Sequence, residues 1–242
     1  LSRRVRDGSR DDLGRLNRSF NLMADRTETL IEELRGKEEF QRQLIANVSH
    51  DLRTPMASLR GYIETLSLRG GDMPAADYER YLQIITDNLA HLDRLVDSLL
   101  QLSRLDSGQT RFQTEDFPLA ELVEGVMQRA QTLAQRRGIR LRAELPEDLP
   151  MVHADPLQIA QVLQNLLENG IKFGREGGEV MVEAARRDHH LAVTVRDDGP
   201  GIPLADQPHI FERFFTGDRS RTRKGQSSGL GLAISARIIE NH

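Results

Sequence analysis

From Leu13 to Leu102 the chain places apolar side chains at steps of three and four, over a length far greater than one globular helix needs. The first series is Leu13, Leu16, Phe20, Met23, Leu30 and Leu34, with Thr27 in its one gap. The second is Leu44, Val48, Leu52, Pro55, Leu59, Tyr62 and Leu66. Gly70-Gly71-Asp72-Met73-Pro74 then reads as a turn. A third series follows: Tyr81, Ile85, Leu92, Leu95, Leu99 and Leu102, with polar Asn88 on the same seam. A stripe this narrow must be covered by another helix. Two long helices joined by a short loop predict an antiparallel hairpin, and one hairpin leaves apolar surface open. A second copy closes it into a four-helix bundle, so the expectation is a homodimer. Periodicity alone favours a purely structural coiled coil.

Composition limits what else the chain does. Charged residues are 29% and aromatics 5% of the 242, a mixture that suits solvated helices beside a modest core. The net charge of −4 argues against general nucleic-acid binding. There is no cysteine, which excludes disulfides and Cys-zinc sites and fits a cytosolic location. No run approaches the length of a membrane-spanning segment. The first residue is Leu1, so the expectation is that the chain starts inside a longer protein.

Beyond Phe112 the pattern changes to mixed helix and strand. Leu122, Val126, Ala130 and Leu133 mark a helix ended by Gly138, and residues 139–143 alternate like a strand. Asp155-Pro156 supplies a cap and a first helical residue for the next helix. Val180 to Ala184 and Leu191 to Val195 read as strands around a polar turn.

Within the second series lies Ser49-His50-Asp51-Leu52-Arg53-Thr54-Pro55. Val48, Leu52 and Pro55 take the seam, so His50 faces outward. An imidazole readily offers an uncharged nitrogen nucleophile at neutral pH. A carboxylate at Asp51 can hold one ring nitrogen protonated and free the other lone pair. Thr54 shares the face of His50, and Pro55 cannot donate to the Asp51 carbonyl, which predicts a bend. For a lone exposed histidine the ordinary reading is a solvated surface residue.

Four further motifs follow in order, each weak alone. Asn165, Asn169 and Lys172 lie on one face of a predicted helix that ends at Phe173. Amide oxygens suit Mg²⁺, and an ammonium one turn on can meet phosphate. Asp197-Asp198-Gly199-Pro200-Gly201-Ile202 follows a strand, where a carboxylate can accept from the adenine amine and disfavour guanine. Phe211-Glu212-Arg213-Phe214-Phe215 gives aromatic anchors, and Arg219, Arg221, Arg223, Lys224 and Gly225 form a basic stretch suited to a lid. Gly229-Leu230-Gly231-Leu232 opens a final helix whose free N–H groups can face phosphate. No Gly-x-x-x-x-Gly-Lys-Ser/Thr occurs, so this is no P-loop protein.

The run around His50 resembles the H box of sensor histidine kinases. The later motifs resemble the N, G1, F and G2 boxes of the ATP-binding domain shared with gyrase, Hsp90 and MutL-type ATPases. The match covers roughly residues 37–242. The resemblance implies an α plus α/β fold, a dimeric helical bundle followed by an α/β sandwich. It implies a HAMP-like signalling helix over 1–36, a dimerisation and phosphotransfer hairpin over 37–108, and an ATP-binding domain over 109–242. His50 would then be the phospho-acceptor, Asp51 its orienting base, and Thr54 a water-positioning residue for the reverse reaction. Asn165 and Asn169 would handle Mg²⁺, Lys172 would contact phosphate and Asp197 would read adenine. Phe173, Gly199, Gly201, Ile202, Arg213, Gly229, Leu230, Gly231 and Leu232 would shape the ATP pocket. The partners implied are a second copy and the receiver domain of a response regulator. The location implied is the cytoplasmic side of a bacterial inner-membrane protein. Ser227 and Thr216 depart from the pattern, which has Gly and often Arg there, and the sequence stops at His242, where relatives add strands. Two rivals remain: an ATPase machine of the same superfamily, which does not need His50, and a non-catalytic dimeric adaptor.

Overall fold

The computed structural model describes residues 12–106, 112–188, 190–217 and 229–242. Residues 107–111, and the basic stretch from Arg219 to Gly225 together with Ser227, lie outside the described residues. The molecule divides into two compact units, one ending at Gly71 and one starting at Asp72.

The first unit is a single helix, α1, Asp12–Arg69. It runs unbroken across residues 36 and 37 and contains Pro55. Threonines within the helix donate to the carbonyl four residues back. Thr27 Oγ1 donates to the Met23 carbonyl at 2.8 Å, and Thr54 Oγ1 to the His50 carbonyl at 3.3 Å. The seam of the second series is visible in the burial: Pro55 and Leu59 are buried and Val48, Leu52, Tyr62 and Leu66 partly so. In the first series Phe20, Met23, Leu30 and Leu34 are all more than half exposed, an apolar stripe with no cover in one copy of the chain. The Gly70 amide closes the last turn on the Leu66 carbonyl at 2.8 Å.

The second unit opens with α2, Ala75–Asp106, directly after Pro74. Its predicted seam is again the covered side: Leu95 and Leu102 are buried and Tyr81, Ile85, Asn88, Leu92 and Leu99 partly so. Then come β1 (Glu115–Phe117), α3 (Leu119–Arg136), β2 (Arg140–Glu144), β3 (Val152–Ala154) and α4 (Pro156–Phe173). β4 (Glu179–Arg187), β5 (His190–Asp197), a 3-10 turn at Gln207–His209 and α5 (Gly231–Asn241) complete it. β1 and β3 form a small antiparallel ribbon that the sequence did not announce, since each has only three residues. The main sheet has the order β2-β4-β5, with β2 parallel and β5 antiparallel to β4.

Alternation along β4 sends Val180, Val182 and Ala184 into a core shared with α3 and α4. Leu163, Leu167 and Ile171 supply the α4 side. On α3 the buried stripe is Leu119, Val123, Val126, Ala130 and Ala134. The expected stripe through Leu122 and Leu133 shares only Val126 and Ala130 with it, and Leu133 is exposed. Small Ala134 wins because the chain turns back there: the Ile139 amide donates to the Ala134 carbonyl at 2.9 Å around Gly138, whose φ is 64°. Asp155 caps α4 as expected, accepting from the Leu157 and Gln158 amides at 3.1 Å. Its other oxygen accepts from the Gln113 amide at 3.0 Å, tying the start of the domain to this helix.

Candidate active site

His50 projects from α1 with 81% of its side chain exposed. Its Nδ1 lies 3.2 Å from Asp51 Oδ1. A carboxylate accepts, so the proton of the neutral ring sits on Nδ1 and the Nε2 lone pair points to solvent. Thr54 spends its hydroxyl on the His50 carbonyl, which fixes its rotamer on the same face one turn away.

The second constellation gathers around the C-terminal half of α4. Gly170 is where α4 crosses the sheet: a Cβ there would meet Val180 Cγ1 at 3.0 Å and the Asp197 Cβ at 3.6 Å. This close approach brings the end of β5 to the helix. The Asp197 Oδ1 then accepts from the Gly199 amide at 2.8 Å, which leaves Oδ2 as the acceptor available to a ligand. Gly199 has to be glycine, because a Cβ would fall 2.6 Å from Asp197 Oδ1 and 2.8 Å from the Phe173 carbonyl oxygen. Gly201 has φ 72°, the left-handed conformation that lets the loop turn away, and the side chains of Ile202 and Phe173 are partly exposed.

Asn165, one turn before Asn169, reaches the other way. Its Nδ2 donates to the Gly231 carbonyl and to Ser235 Oγ, each at 3.1 Å, at the start of α5. Leu230 is fully buried and anchors that start, and Leu232 is partly buried. Gly229, at φ 63°, accepts from the Phe214 amide at 2.9 Å. A Cβ on it would lie 2.8 Å from the Phe214 Cα, so the aromatic segment and the glycine segment close on each other there. Phe214 itself holds φ 61°. Arg213 donates to Asp106 Oδ1 at 2.8 Å, at the end of α2. Asn169 and Lys172 are partly buried on the α4 face that carries Asn165. Burial, and then the positive charge of Arg137, lower the Lys172 pKa below the ordinary lysine value.

Two residues here were not singled out from sequence. Asp198 accepts from the Glu179 amide at 3.2 Å and the Arg175 amide at 3.5 Å, pinning the α4–β4 loop. Ser235 is buried in α5 and also donates to the Gly231 carbonyl at 2.9 Å. An acidic pair after a strand gives a hint of the first; nothing in the sequence marks the second.

Residues 40–108 match the family model described as His Kinase A (phospho-acceptor) domain. Residues 154–242 match that described as Histidine kinase-, DNA gyrase B-, and HSP90-like ATPase. The chain belongs to the sensor histidine kinase family. Among relatives, it is 33% identical over 239 residues to the signal transduction histidine-protein kinase BaeS of Escherichia coli, covering 99% of this chain and 49% of that one. It is 32% identical to the signal transduction histidine-protein kinase AfsQ2 of Streptomyces coelicolor, covering 100% of this chain and 45% of that one. The chain thus spans less than half the length of these curated relatives. Among solved structures, the histidine kinase AdeS of Acinetobacter baumannii aligns with TM-score 0.64 at 26% identity, covering 79% of this chain and 86% of that one. ThkA in complex with response regulator protein TrrA aligns with TM-score 0.63 at 26% identity, covering 75% and 53%. The fold, a long helical pair followed by an α/β ATPase-type domain, is that of the family.

The family uses ATP. Among the described residues no group of three or more His, Asp or Glu side chains is placed to hold a metal by itself. Hard amide oxygens beside a lysine fit Mg²⁺, which takes most of its ligands from phosphate and water. Among the described residues, no helix is long and apolar enough to cross a membrane.

Proposed function

We propose that this chain carries the phosphotransfer and ATP-binding parts of a dimeric sensor kinase, over residues 37–108 and 109–242, after a HAMP-like helix over 1–36. In this reading it is the cytoplasmic portion of a bacterial inner-membrane protein. ATP phosphorylates His50, and the phosphoryl group passes to an aspartate of a response-regulator receiver domain. The observation that carries this reading is the pairing of His50 Nδ1 with Asp51 at 3.2 Å on an exposed helix face, in a chain that also has a nucleotide-type fold.

The Nε2 lone pair attacks the γ-phosphorus, the N–P bond forms, and the bond from that phosphorus to the ADP oxygen breaks. The proton on Nδ1 stays against Asp51, which stabilises the cationic ring as it develops and then takes the proton. Asp197 Oδ2 accepts from the adenine amine, and the backbone at Gly199 and Gly201 allows the base to approach. Lys172 meets phosphate charge. Asn169 and the Asn165 oxygen are the residues that would hold Mg²⁺, whose charge offsets that of the triphosphate. Transfer onward forms an acyl phosphate and returns the imidazole. With Thr54 ordering a water, the reverse duty is hydrolysis of that acyl phosphate.

Incubation with Mg-ATP labelled at the γ-phosphate tests this. Acid-labile, alkali-stable label on protein, lost in His50→Gln, is the expected result. Free phosphate without protein label would identify an ATPase, and neither product an adaptor.

A further inference from the structure

We propose that Ser235 is a positioning residue for nucleotide binding, acting through Asn165; this rests on the reading of the α4 face as the phosphate side of an ATP site. Asn165 has two N–H bonds, and α5 takes both, one on the Gly231 carbonyl and one on Ser235 Oγ, at 3.1 Å each. The carbonyl can only accept, so the amide nitrogen takes the bonds to α5 and Oδ1 is the end those two bonds leave over, 3.7 Å from where a Cβ of Gly231 would stand. Ser235 is 4% exposed, and its own hydrogen goes to the same Gly231 carbonyl at 2.9 Å. That leaves its lone pairs for Asn165. The three groups form a closed triangle of hydrogen bonds. It joins α4, which presents Asn169 and Lys172, to the first turn of α5, where Gly229 meets Phe214 at 2.9 Å.

Two consequences follow. Ser235 sets which end of the Asn165 amide is offered to a cation or phosphate-bound water. It also keeps the glycine-led start of α5 at a fixed spacing from α4, so both sides of a triphosphate site move as one body. Asp197 has no part in the triangle; its carboxylate is held by the Gly199 amide. The effect therefore belongs to the phosphate end of a nucleotide and not to the adenine end.

Ser235→Ala removes one acceptor without adding volume, and Ser235→Val sets methyl groups against the Asn165 N–H. Binding of Mg-ATP and of adenosine would be titrated against wild type and both variants, alone and with Asn165→Ala. One hydrogen bond of this kind predicts that Ser235→Ala weakens Mg-ATP by about three- to ten-fold and leaves adenosine unchanged. The loss disappears when Asn165 is already alanine. Wild-type affinity for Mg-ATP in Ser235→Ala, equal losses for Mg-ATP and adenosine, or an undiminished loss in the Asn165→Ala background would each overturn the proposal. The side-chain amide signal of Asn165 in the nucleotide-free chain gives a second readout. Ser235→Ala shifts it and speeds its hydrogen exchange; an unmoved signal refutes the triangle even in a chain that binds no ATP. Wild type that binds neither ligand counts instead against the ATP site itself.

Discussion

At His50 one hydrogen bond decides which ring nitrogen keeps a free lone pair. Replacing Asp51 by Asn keeps a polar partner but lets the amide donate as well as accept, so the ring tautomer is no longer fixed and the developing cation loses its charge partner. Asp51→Asn should lower the initial rate of protein labelling by roughly 10²-fold, with ATP affinity unchanged; equal rates would remove Asp51 from the chemistry. Lys172 makes a different kind of prediction. Burial and Arg137 lower its folded pKa, so the unfolded chain holds the extra proton between the folded and unfolded values, and stability rises with pH across that interval. The charge is a cost to the empty fold, which bound phosphate would relieve in the proposed site. Lys172→Met should therefore melt no lower than wild type while binding ATP more weakly. In wild type, ATP affinity should fall as pH rises through the lowered value. A variant that loses stability and keeps its affinity would make the lysine structural.

Among the elements, the glycine-led start of α5 is the most exacting. Gly229 combines φ 63° with backbone atoms of Phe214 and Phe215 inside 3 Å of any Cβ. Gly229→Ala should cost about 1–2 kcal/mol from the left-handed backbone alone, read as a lower melting temperature together with lost nucleotide binding. Gly201, equally left-handed but open, should lose stability without the collision. The contrast shows what could be read from the sequence. Spacing alone placed Asn165, Asn169 and Lys172 on one helix face, because helical periodicity is local. The cap at Asp155 and the turn at Gly70–Pro74 were equally legible, since both are decided by neighbouring residues. The α3 stripe was misread because two apolar stripes overlap on that helix, and only the chain reversal at Gly138 selects the one ending in Ala134. The β1–β3 ribbon, the Asp198 clamp and the Asn165–Ser235 bond join residues 19 to 70 positions apart in the sequence, so no local pattern reports them.

At the scale of the whole molecule, the exposed stripe on α1 is the feature one copy leaves unresolved. Phe20, Met23, Leu30 and Leu34 are spaced for a helical seam and lie open to water. A second copy covers such a stripe, so the chain should run as a dimer in light scattering at micromolar concentration. Replacing Leu30 and Leu34 with glutamate should shift it toward monomer, and a wild-type monomer would refute the dimer. In the proposed reaction a phosphoryl group from ATP ends on one particular nitrogen. Phosphorus–nitrogen correlation by NMR on the chain after reaction with ATP locates it directly. A single phosphoramidate at Nε2 of His50 is the expected result, and a phosphoryl group on Nδ1, on another residue, or only in free phosphate would contradict the proposed reaction.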